Sequence, residues 1–305
     1  MSERVLVIKL GALGDFVQAL APMQAIRRHH ANAEITLLTT RPYQPLGERC
    51  GWFDRVWTTT RSRNPLDLLA LRQRLILANF SMVYDLQTSD RSSLMWHLMW
   101  PYRPAMSGIA RGCSHPHDNP DRDQMHTIDR QRDQLARAGI ADVPGPDLSW
   151  MAGDLDGLDL PERFALLVAG GAAHRPDKRW PADRYAQAAN ALAAQGITPV
   201  LIGAGADAAA TDSIAAQCDS AINLTDKTDF LTMAALARRA DLALGNDTGP
   251  MHLIAAAGCP SLVLYGQASD PALCAQRGPK VDILRVDDLA ALPVARVREG
   301  LSALR

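Results

Sequence analysis

Short apolar segments alternate with longer amphipathic segments along most of the chain, and this alternation restricts the fold more than any other feature of the sequence. The first apolar run, VLVIKL at residues 5–10, is typical of a strand that is buried on both faces. Strands of that kind occur in parallel sheets whose two faces are covered by helices. The sequence therefore predicts an α/β fold built on parallel sheets.

The same rhythm runs through both halves of the chain. In the first half we predict strands at residues 5–10, 34–39 and 83–86, and helices at residues 15–30, 65–78, 91–100 and 126–138. In the second half we predict strands at residues 164–169, 199–202, 242–245 and 261–265, and helices at residues 182–195, 206–217, 230–240 and 251–257. The tail LPVARVREGLSALR predicts a closing amphipathic helix.

A stretch of prolines, glycines and acidic residues at residues 141–162 interrupts this rhythm. A chain of 305 residues is also longer than one typical domain. We therefore expect two Rossmann-like domains, residues 1–150 and 151–305, with ligands at the carboxyl ends of the strands in a cleft between them. The final helix is expected to stay with the second domain or to pack back on the first.

The overall charge and the cysteines exclude several classes of protein. The formal net charge is −1, so the chain lacks the general positive charge of a nucleic-acid-binding protein, and any anion must be held at a local site. The five cysteines are scattered without CxxC spacing, which indicates reduced thiols and neither a disulfide framework nor a metal centre. The first apolar run is too short for a signal peptide or a membrane span. We expect a cytoplasmic protein.

The segment KLGALGDFVQAL predicts a strand, a glycine-rich turn and a helix. Its spacing, with Gly11, Gly14 and then Asp15, is not the G-x-G-x-x-G of dinucleotide sites, and residues 37–40 end the second strand without an acidic residue. A nicotinamide site is therefore disfavoured, and we expect no cofactor. Asp15 has two interpretations, an N-cap carboxylate that accepts backbone N–H groups or a general base. The helix dipole favours the ionised carboxylate in both.

A basic loop follows the first strand of the second half, in the sequence GGAAHRPDKRWPADRY. Two glycines are followed by four cationic side chains, those of His174, Arg175, Lys178 and Arg179. Glycines and cations at the carboxyl end of a strand suit the binding of a phosphate group. Lys178 is the best candidate for reaching a pyrophosphate, because its flexible ammonium acts as a point charge. A solvated basic loop is the alternative.

The segment NDTGPMH connects a buried strand to a helix near the end of the chain. Pro250 suits the first helical position, and Gly249 before it lets a ligand approach the backbone closely. The N–H groups at this helix start, those of Thr248, Gly249, Met251 and His252, are then directed at an anion. A tight turn is the alternative. We prefer the anion site, because this helix start and the basic loop both lie at strand carboxyl ends in the same half.

Four stretches of the sequence together resemble glycosyltransferase family nine, the bacterial lipopolysaccharide heptosyltransferases. They are VLVIKLGALGDFVQALAPMQAIR, then YDLQTSDRSS with HTIDRQRDQLARAGI, then GGAAHRPDKRWPADRYAQAA, and finally NLTDKTDFLTMAALARRADLALGNDTGPMHLIAAAGCPSLVLYG. The resemblance implies a GT-B fold, with two Rossmann-like domains whose parallel sheets face a central cleft. The sugar nucleotide is implied on the C-terminal domain and the acceptor on the N-terminal domain. The resemblance also implies inversion of the anomeric configuration without a metal ion.

The resemblance assigns roles to individual residues. It implies Asp15 as the base that deprotonates the acceptor hydroxyl and Lys178 as the cation that stabilises the leaving diphosphate. The further donor-binding residues are Gly14, Asp207, Asp247, Thr248, Gly249, Pro250, Met251 and His252. Asp207 is implied as the acid that bonds the ribose, with a helix N-cap as its alternative. His252 is implied as a nucleotide contact, with simple packing in the helix as its alternative.

On the acceptor side the resemblance points to Gln87 and Arg91, with a surface role as the alternative for Arg91. Arg61 and Arg63 are expected to attract an anionic acceptor, unless they belong to a solvated loop. Residues 92–104, SSLMWHLMWPYRP, either rest on an anionic membrane surface or form the core side of a helix. Members of the family usually have two serines where this chain has glycine and alanine at positions 11 and 12.

The resemblance therefore implies an inverting, metal-independent glycosyltransferase that moves a sugar, heptose from ADP-heptose, onto a lipopolysaccharide core acceptor. The alternatives are a transferase of the same family that uses another nucleotide sugar or glycan, and a non-catalytic protein that binds sugar nucleotides. The expected partners are a nucleotide-sugar donor, a lipid-linked or oligosaccharide acceptor and, peripherally, the cytoplasmic face of the inner membrane. Nucleic acid is not an expected partner.

Overall fold

The computed structural model describes residues 3–60, 62, 64–171 and 176–305. The chain forms two compact units, Met1–Trp150 and Met151–Arg305. Each unit contains one six-stranded sheet in which every strand pair is parallel. The predicted fold class, α/β with parallel sheets, is therefore confirmed.

The N-terminal unit begins with the first predicted strand. Its strands are β1 (Arg4–Ile8), β2 (Glu34–Thr39), β3 (Arg55–Thr58), β4 (Met82–Asp85), β5 (Ala105–Gly108) and β6 (His115–Pro116). Its helices are α1 (Leu13–Gln18), α2 (Leu20–His29), α3 (Gln44–Arg49), α4 (Pro65–Ala78), α5 (Asp90–His97) and α6 (Thr127–Arg137), with short 3₁₀ turns at Arg41–Tyr43 and Arg122–Gln124. The strand order is β3-β2-β1-β4-β5-β6, the order of a Rossmann sheet.

The C-terminal unit repeats this plan. Its strands are β7 (Phe164–Val168), β8 (Thr198–Leu201), β9 (Ile222–Asn223), β10 (Leu242–Asn246), β11 (Ser261–Tyr265) and β12 (Val281–Arg285). Its helices are α7 (Ala182–Ala193), α8 (Ala208–Ala215), α9 (Phe230–Arg239), α10 (Gly249–Ala256), α11 (Pro271–Cys274) and α12 (Val294–Ala303), with 3₁₀ turns at Pro176–Lys178, Gly205–Asp207 and Leu289–Ala291. The order β12-β11-β10-β7-β8-β9 is the same Rossmann order read from the opposite edge.

The middle strands carry the apolar runs that predicted them. β4, β7, β10 and β11 are buried at every residue. Leu6 and Val83 belong to the core cluster of the N-terminal unit, and Leu167 and Leu244 to that of the C-terminal unit. Burial of such a side chain contributes about 1.5–3 kcal/mol, so these strands supply much of the hydrophobic stabilisation of each unit.

The last helix, α12, packs in the core of the C-terminal unit. Val297, Leu301 and Leu304 are buried in the same cluster as Leu192 of α7. At the end of the chain Nη1 of Arg305 donates to Oε1 of Gln195, 2.7 Å away. The amphipathic pattern of the tail therefore reflects an apolar face that contacts α7.

The single helix predicted at residues 15–30 is wrong, because this segment forms two helices, α1 and α2, that meet at Ala19. Pro22 is the third residue of α2 and has no N–H group with which to continue an α-helical hydrogen bond to Gln18. The break leaves α1 only six residues long and ends it soon after the glycine-rich turn.

Candidate functional site

The strand order places one candidate site in each unit. In a Rossmann sheet, ligands bind at the carboxyl ends of the strands where the strand order reverses. In the N-terminal unit this point lies between β1 and β4, which are neighbours. In the C-terminal unit it lies between β7 and β10. The loops that follow these four strands carry most of the residues that the sequence singles out.

A polar cavity of about 220 Å³ lies at this point of the N-terminal unit. Its lining residues are Lys9, Asp15, Leu86, Gln87, Thr88, Arg122, Thr127, Arg130, Gln131 and Gln134. Two predicted site residues, Asp15 and Gln87, thus line the same cavity. Three cationic side chains, those of Lys9, Arg122 and Arg130, line it with them. A cavity with this lining suits an anionic, hydroxyl-bearing ligand better than an apolar one.

Asp15 is exposed and occupies the third position of α1. The N-cap residue of this helix is Ala12, so the prediction that Asp15 is itself the N-cap residue is wrong. Its carboxylate nevertheless accepts a hydrogen bond from the backbone N–H of Ala12, with Oδ2 3.2 Å from the nitrogen. The backbone bond fixes the carboxylate on the cavity wall, and its role as a base stays a prediction. Gly14, beside it, is the second residue of α1 and is buried.

Two buried titratable side chains, those of Lys9 and Asp85, lie at the ends of the neighbouring strands β1 and β4. The Lys9 side chain is 3% exposed, and its Nζ donates to the carbonyl of Leu86 at 3.0 Å. Burial lowers the pKa of Lys9, while the negative charges of Asp15 and Asp85 act in the opposite direction. Asp85 is fully buried, and burial raises the pKa of its carboxyl group to about 6 against the effect of its hydrogen bonds and of Lys9.

Hydrogen bonds to Asp85 and Gln87 join the loops that follow β1 and β4. Oδ1 of Asp85 accepts from the backbone N–H groups of Gln87 at 3.0 Å and Thr88 at 2.9 Å. Oε1 of Gln87 accepts from the backbone N–H of Leu10 at 2.8 Å. Gln87 therefore uses its carbonyl oxygen to hold the first loop, which leaves its amide nitrogen as the group for a ligand.

The cations of α6 and of the turn before it were missed by sequence reasoning. Arg130 is half-buried in the cavity wall, and burial lowers the pKa of its guanidinium, followed by the effect of the Arg122 charge. Arginine remains protonated throughout the physiological range even so. The available signal was the buried face of α6, which carries polar Thr127, Gln131 and Gln134 where a structural helix carries apolar residues.

Arg91 is not among the residues that line this cavity. Its Nη2 donates to the carbonyls of Thr60 and Ser62, both at 2.9 Å, and its side chain borders a second cavity of about 350 Å³ beside Leu68. The predicted surface role fits these contacts at least as well as acceptor binding. Arg61 and Arg63, the other predicted acceptor contacts, lie outside the described residues.

In the C-terminal unit, one buried amide fastens the loops around the second site. Asn246 ends β10, and its Nδ2 donates to the carbonyls of Ala169 at 2.9 Å and Gly170 at 3.0 Å. Its Oδ1 accepts from the backbone N–H of Trp180 at 3.1 Å and from the hydroxyl of Tyr185 at 3.0 Å. Asn246 thereby fixes the end of β10, the loop after β7 and the start of α7. Trp180 is 2% exposed, as expected of a packing anchor.

Lys178 is held by Asp247 at the centre of this site. Its Nζ donates to Oδ2 of Asp247 at 2.8 Å, and the two side chains are 15% and 9% exposed. Oδ1 of Asp247 accepts from Nε2 of Gln276 at 3.2 Å, and Gln276 in turn accepts from the Tyr265 hydroxyl at 2.8 Å. Burial alone would raise the pKa of Asp247, but hydrogen bonds from Lys178 and Ser269 and the Lys178 charge hold it below its ordinary value.

This ion pair changes the role that we assign to Asp247. Sequence reasoning placed both Lys178 and Asp247 against the diphosphate, whereas the structure bonds them to each other. A carboxylate repels a phosphate oxygen at short range, and an ammonium attracts it. The geometry therefore favours Asp247 as the group that orients Lys178 rather than as a direct phosphate contact.

Helix α10 begins beside this ion pair. Its N-cap is Thr248, in an extended conformation, and Gly249 is its first residue, so Pro250 stands one position later than predicted. The first-turn N–H groups of a helix have no intrahelical acceptors and carry partial positive charge. The buried Oγ1 of Thr248 has no hydrogen-bond partner among the described residues. These are the groups that the predicted anion site requires, and anion binding here stays a prediction.

The next two residues of α10 are buried. Met251 packs over Gly245, where a Cβ would lie only 2.5 Å from the Met251 sulfur, so only the backbone of Met251 remains for a ligand. His252 is 8% exposed, and its charge is one of the influences that lower the pKa of Asp247. The structure thus supports the packed interpretation of His252 and shows that it is electrostatically coupled to the Lys178–Asp247 pair.

The carboxylate of Asp207 bridges two loops. Its Oδ1 accepts from the backbone N–H of Gly171 at 3.2 Å and its Oδ2 from that of Ala204 at 3.2 Å. Asp207 does stand at the N-cap position of α8, as the alternative predicted. Its side chain, however, makes no capping hydrogen bond to that helix. The Arg179 guanidinium lies 3.7 Å from Oδ1 and also donates to the Gly171 carbonyl. A ribose contact by Asp207 stays a prediction.

Metal ligands are not grouped in the part of the chain that the structure describes. Within residues 3–60, 62, 64–171 and 176–305 no three histidine, cysteine or acidic side chains are arranged to hold a metal ion. The cysteines are free thiols, and all except Cys274 are buried.

The curated proteins with similar sequences include several heptosyltransferases. Lipopolysaccharide core heptosyltransferase OpsX of Haemophilus influenzae is 23% identical over 291 residues, which are 85% of this chain and 78% of that protein. Lipooligosaccharide heptosyltransferase 2 of the same organism is 31% identical over 146 residues, which are 46% of this chain. The match spans only 41% of the length of this second relative.

The solved structures that resemble this chain also include a heptosyltransferase. The structure of E. coli heptosyltransferase WaaC with ADP matches 99% of this chain and 100% of that chain, with a TM-score of 0.81 and 20% sequence identity. This match confirms the GT-B fold class that the resemblance implied. The model of glycosyltransferase family 9 (heptosyltransferase) matches residues 68–297, about three quarters of the sequence. The chain with the Lys178–Asp247 pair and the polar Asp15 cavity therefore belongs to glycosyltransferase family 9.

Proposed function

We propose that this protein is an inverting glycosyltransferase that moves a sugar from a nucleoside-diphosphate sugar to a glycan acceptor without a metal ion. The donor that we propose is ADP-heptose and the acceptor a lipopolysaccharide core. The observation that carries the proposal is Lys178 beside the start of α10, at the point where the strand order of the C-terminal sheet reverses. The heptosyltransferase relatives and the ADP in the WaaC structure support the choice of donor.

The leaving diphosphate needs positive charge at the moment when its bond to the anomeric carbon breaks. We assign this role to the Lys178 ammonium and to the first N–H groups of α10, with the Thr248 hydroxyl as a further donor. Asp247 holds the ammonium in place through the 2.8 Å hydrogen bond. Fixed donors of this kind cost no reorganisation during the reaction, and so they substitute for a metal ion.

The acceptor hydroxyl must lose its proton as it attacks the anomeric carbon. We propose that Asp15 takes this proton, since its carboxylate is exposed in the N-terminal cavity and held by the N–H of Ala12. The bond from the anomeric carbon to the diphosphate breaks as the bond to the acceptor oxygen forms. Inversion follows from this single displacement.

The cations of the N-terminal cavity suit an acceptor that carries carboxylate or phosphate groups. Lys9, Arg122 and Arg130 line the cavity together with Asp15, and the Gln87 amide faces the same space. Charge-assisted hydrogen bonds from arginine are strong and geometrically selective for such groups. Arg91, which borders the other cavity, remains a proposed acceptor contact, and so do Arg61 and Arg63. We propose that the reaction takes place in the cytoplasm and peripherally at the inner membrane.

The first experiment identifies the donor. Thermal shifts with ADP, UDP and GDP and with their sugars should single out one nucleotide, because ligand-linked stabilisation grows as RT ln(1 + [L]/Kd). Mass spectrometry of products made from each donor then identifies the sugar that is transferred. A protein that binds ADP-heptose tightly but neither transfers nor hydrolyses it is a binding protein, and the proposed reaction is then wrong.

The second experiment tests the base. Asp15→Asn keeps an oxygen to accept from Ala12 but is unable to take a proton, and Asp15→Ala removes both functions. We expect the transfer rate of Asp15→Asn to fall about 10²- to 10⁴-fold, with unchanged affinity for the donor. Transfer by Asp15→Asn at the wild-type rate would show that another group takes the proton.

A further inference from the structure

A buried histidine contacts one of the cations that line the N-terminal cavity. His117 follows β6, and its backbone N–H donates to the carbonyl of Gly108 at 2.8 Å. Its side chain is 0% exposed, and it is not among the residues that line the cavity. A buried imidazole is costly unless its ring nitrogens have hydrogen-bond partners, and those partners indicate what the side chain does.

One ring nitrogen is bonded to a carboxylate of α6. Nε2 of His117 lies 2.8 Å from Oδ2 of Asp133. The same oxygen accepts from Nδ2 of Asn119 at 3.0 Å and from Nε of Arg137 at 3.3 Å. The hydrogen bond from Asn119 is the largest influence on the pKa of Asp133, which is held below its ordinary value with further help from His117 and Arg137. An ionised carboxylate only accepts hydrogen bonds, so Nε2 of His117 carries the ring hydrogen.

The other ring nitrogen faces the 3₁₀ turn before α6. Nε of Arg122 donates to Nδ1 of His117 at 3.5 Å. Burial is the largest influence on the pKa of His117 and lowers it, and the charges of Arg122 and Arg137 act in the same direction against the effect of Asp133. The imidazole is therefore neutral at pH 7, and Nδ1 keeps the lone pair that accepts from the guanidinium. Asp133 thus selects the tautomer that Arg122 needs.

Arg122 needs a support because it shares the cavity with another cation. Arg122 and Arg130 line the same cavity, and the charge of Arg122 is, after burial, the next influence that lowers the pKa of Arg130. Like charges at this range repel each other. Nη1 of Arg122 also bonds to Oδ1 of Asp123 at 2.8 Å, but the Asp123 side chain is 81% exposed, and exposed ion pairs contribute little. His117 therefore supplies the buried support.

We propose that His117 is a positioning residue for the acceptor, whose neutral imidazole holds the Arg122 guanidinium in the Asp15 cavity for an anionic group of the acceptor. This inference rests on the proposed function, since it assumes that the acceptor enters that cavity. His117 acts through Arg122 and does not line the cavity itself. A proton on Nδ1 turns this nitrogen into a donor and adds a positive charge beside Arg122, so acidification releases the guanidinium.

Two variants separate the roles of the two ring nitrogens. The amide of asparagine reaches about as far from the backbone as Nδ1, and the amide of glutamine about as far as Nε2. His117→Asn therefore keeps an oxygen that accepts from Arg122 and gives up the bond to Asp133. His117→Gln keeps a donor for Asp133 and gives up the acceptor for Arg122.

Transfer kinetics with the full-length protein measure the two substrates separately. The donor is ADP-heptose, the acceptor is a deacylated lipopolysaccharide core, and no detergent is added. Within residues 3–60, 62, 64–171 and 176–305 no helix has the length and apolarity that a bilayer span requires. His117→Gln should raise the KM for the acceptor about tenfold or more, with kcat and the KM for ADP-heptose unchanged. His117→Asn should keep the acceptor KM of wild type.

The cation and the pH profile supply two further readouts. Arg122→Met should raise the acceptor KM as His117→Gln does, and the double variant Arg122→Met/His117→Gln should add little, because both changes remove one interaction. The acceptor KM of wild type should rise as the pH falls from 7 to 5, whereas His117→Asn and Arg122→Met should lack this dependence. Long-range ¹H–¹⁵N spectra without substrates should show the hydrogen of His117 on Nε2 at pH 7, with its signals assigned by their loss in His117→Asn.

Three results would overturn the role of His117. They are a wild-type acceptor KM in His117→Gln, the same pH profile in wild type and Arg122→Met, and a ring hydrogen on Nδ1 at pH 7. The comparison with Arg122→Met tests the inference even if both His117 variants fail to fold. If wild type transfers no sugar to the acceptor, the proposed function is wrong and the inference falls with it. If wild type transfers sugar and any of the three results is found, only the inference is wrong.

Discussion

Replacement of the buried Asp85 by asparagine tests whether burial controls the charge beneath the N-terminal cavity. The carboxyl group is fully buried, and burial raises its pKa to about 6 from an ordinary value of 3.8. An asparagine keeps one oxygen to accept from the N–H groups of Gln87 and Thr88. The substitution therefore removes the titrating group while it keeps the hydrogen bonds that shape the loop.

The sign of the effect follows from proton linkage. Below pH 4 the carboxyl group is protonated in the folded and the unfolded chain, and it contributes no pH dependence. Between pH 4 and pH 6 the unfolded chain releases its proton first, so wild-type stability falls as the pH rises. Above pH 6 both states are ionised and the loss is complete. The difference of about 2 between the two pKa values corresponds to about 3 kcal/mol.

Urea unfolding at pH 4, 5, 6 and 7, followed by tryptophan fluorescence, measures this loss. Five of the six tryptophans lie in the N-terminal unit, so the signal reports mainly on the unit that contains Asp85. The free energy of unfolding of wild type relative to Asp85→Asn should fall by about 3 kcal/mol from pH 4 to pH 7. Asp282→Asn, an exposed change in the other unit, is the control. If the free energies of unfolding of wild type and Asp85→Asn differ by the same amount at every pH from 4 to 7, the reasoning is refuted.

Three further predictions concern the loops. Lys178→Met should reduce the transfer rate about 10²- to 10³-fold. It should also lower the melting temperature, because Asp247 is left with a buried charge that has lost its partner. The double variant Lys178→Met/Asp247→Asn should regain the melting temperature but not the transfer rate. Asn246→Ala should lower the free energy of unfolding in urea by about 3 kcal/mol or more, since four buried hydrogen-bond partners lose their contact. Gly11→Ser should lower the free energy of unfolding by about 1–3 kcal/mol, because φ of Gly11 is +107° and a Cβ would lie 2.3 Å from the Tyr43 ring. Calorimetry of the double variant Gly11→Ser/Tyr43→Ala should show that removal of the ring relieves part of this loss.

Much of the fold follows from apolar runs alone. β2 and β11 have the predicted bounds, and so does α4. β3 and β12 were not predicted, because they lie at the sheet edges and alternate only partly between buried and exposed residues. Their pairing with neighbouring strands, rather than their own composition, makes them strands.

The site divides in the same way. Asp15, Lys178 and Thr248 follow β1, β7 and β10 along the chain, and this position made them candidates from the sequence alone. Lys9, in contrast, acts through a partner that is distant in sequence, since it bonds to Leu86 across 77 residues. An ammonium within the apolar run VLVIKL was the one local sign of that contact. Tertiary pairing of this kind is absent from any short window of sequence.

The separation of the two sheets along the chain has a consequence for biosynthesis. Every strand of the first sheet comes from residues 4–116, and every strand of the second from residues 164–285. A ribosome that has released the first 150 residues has therefore supplied all the partners that the first sheet requires. Domains generally fold as units during translation, N-terminal first. The nascent chain is thus able to form its polar Asp15 cavity while the segment that carries Lys178 is still being made.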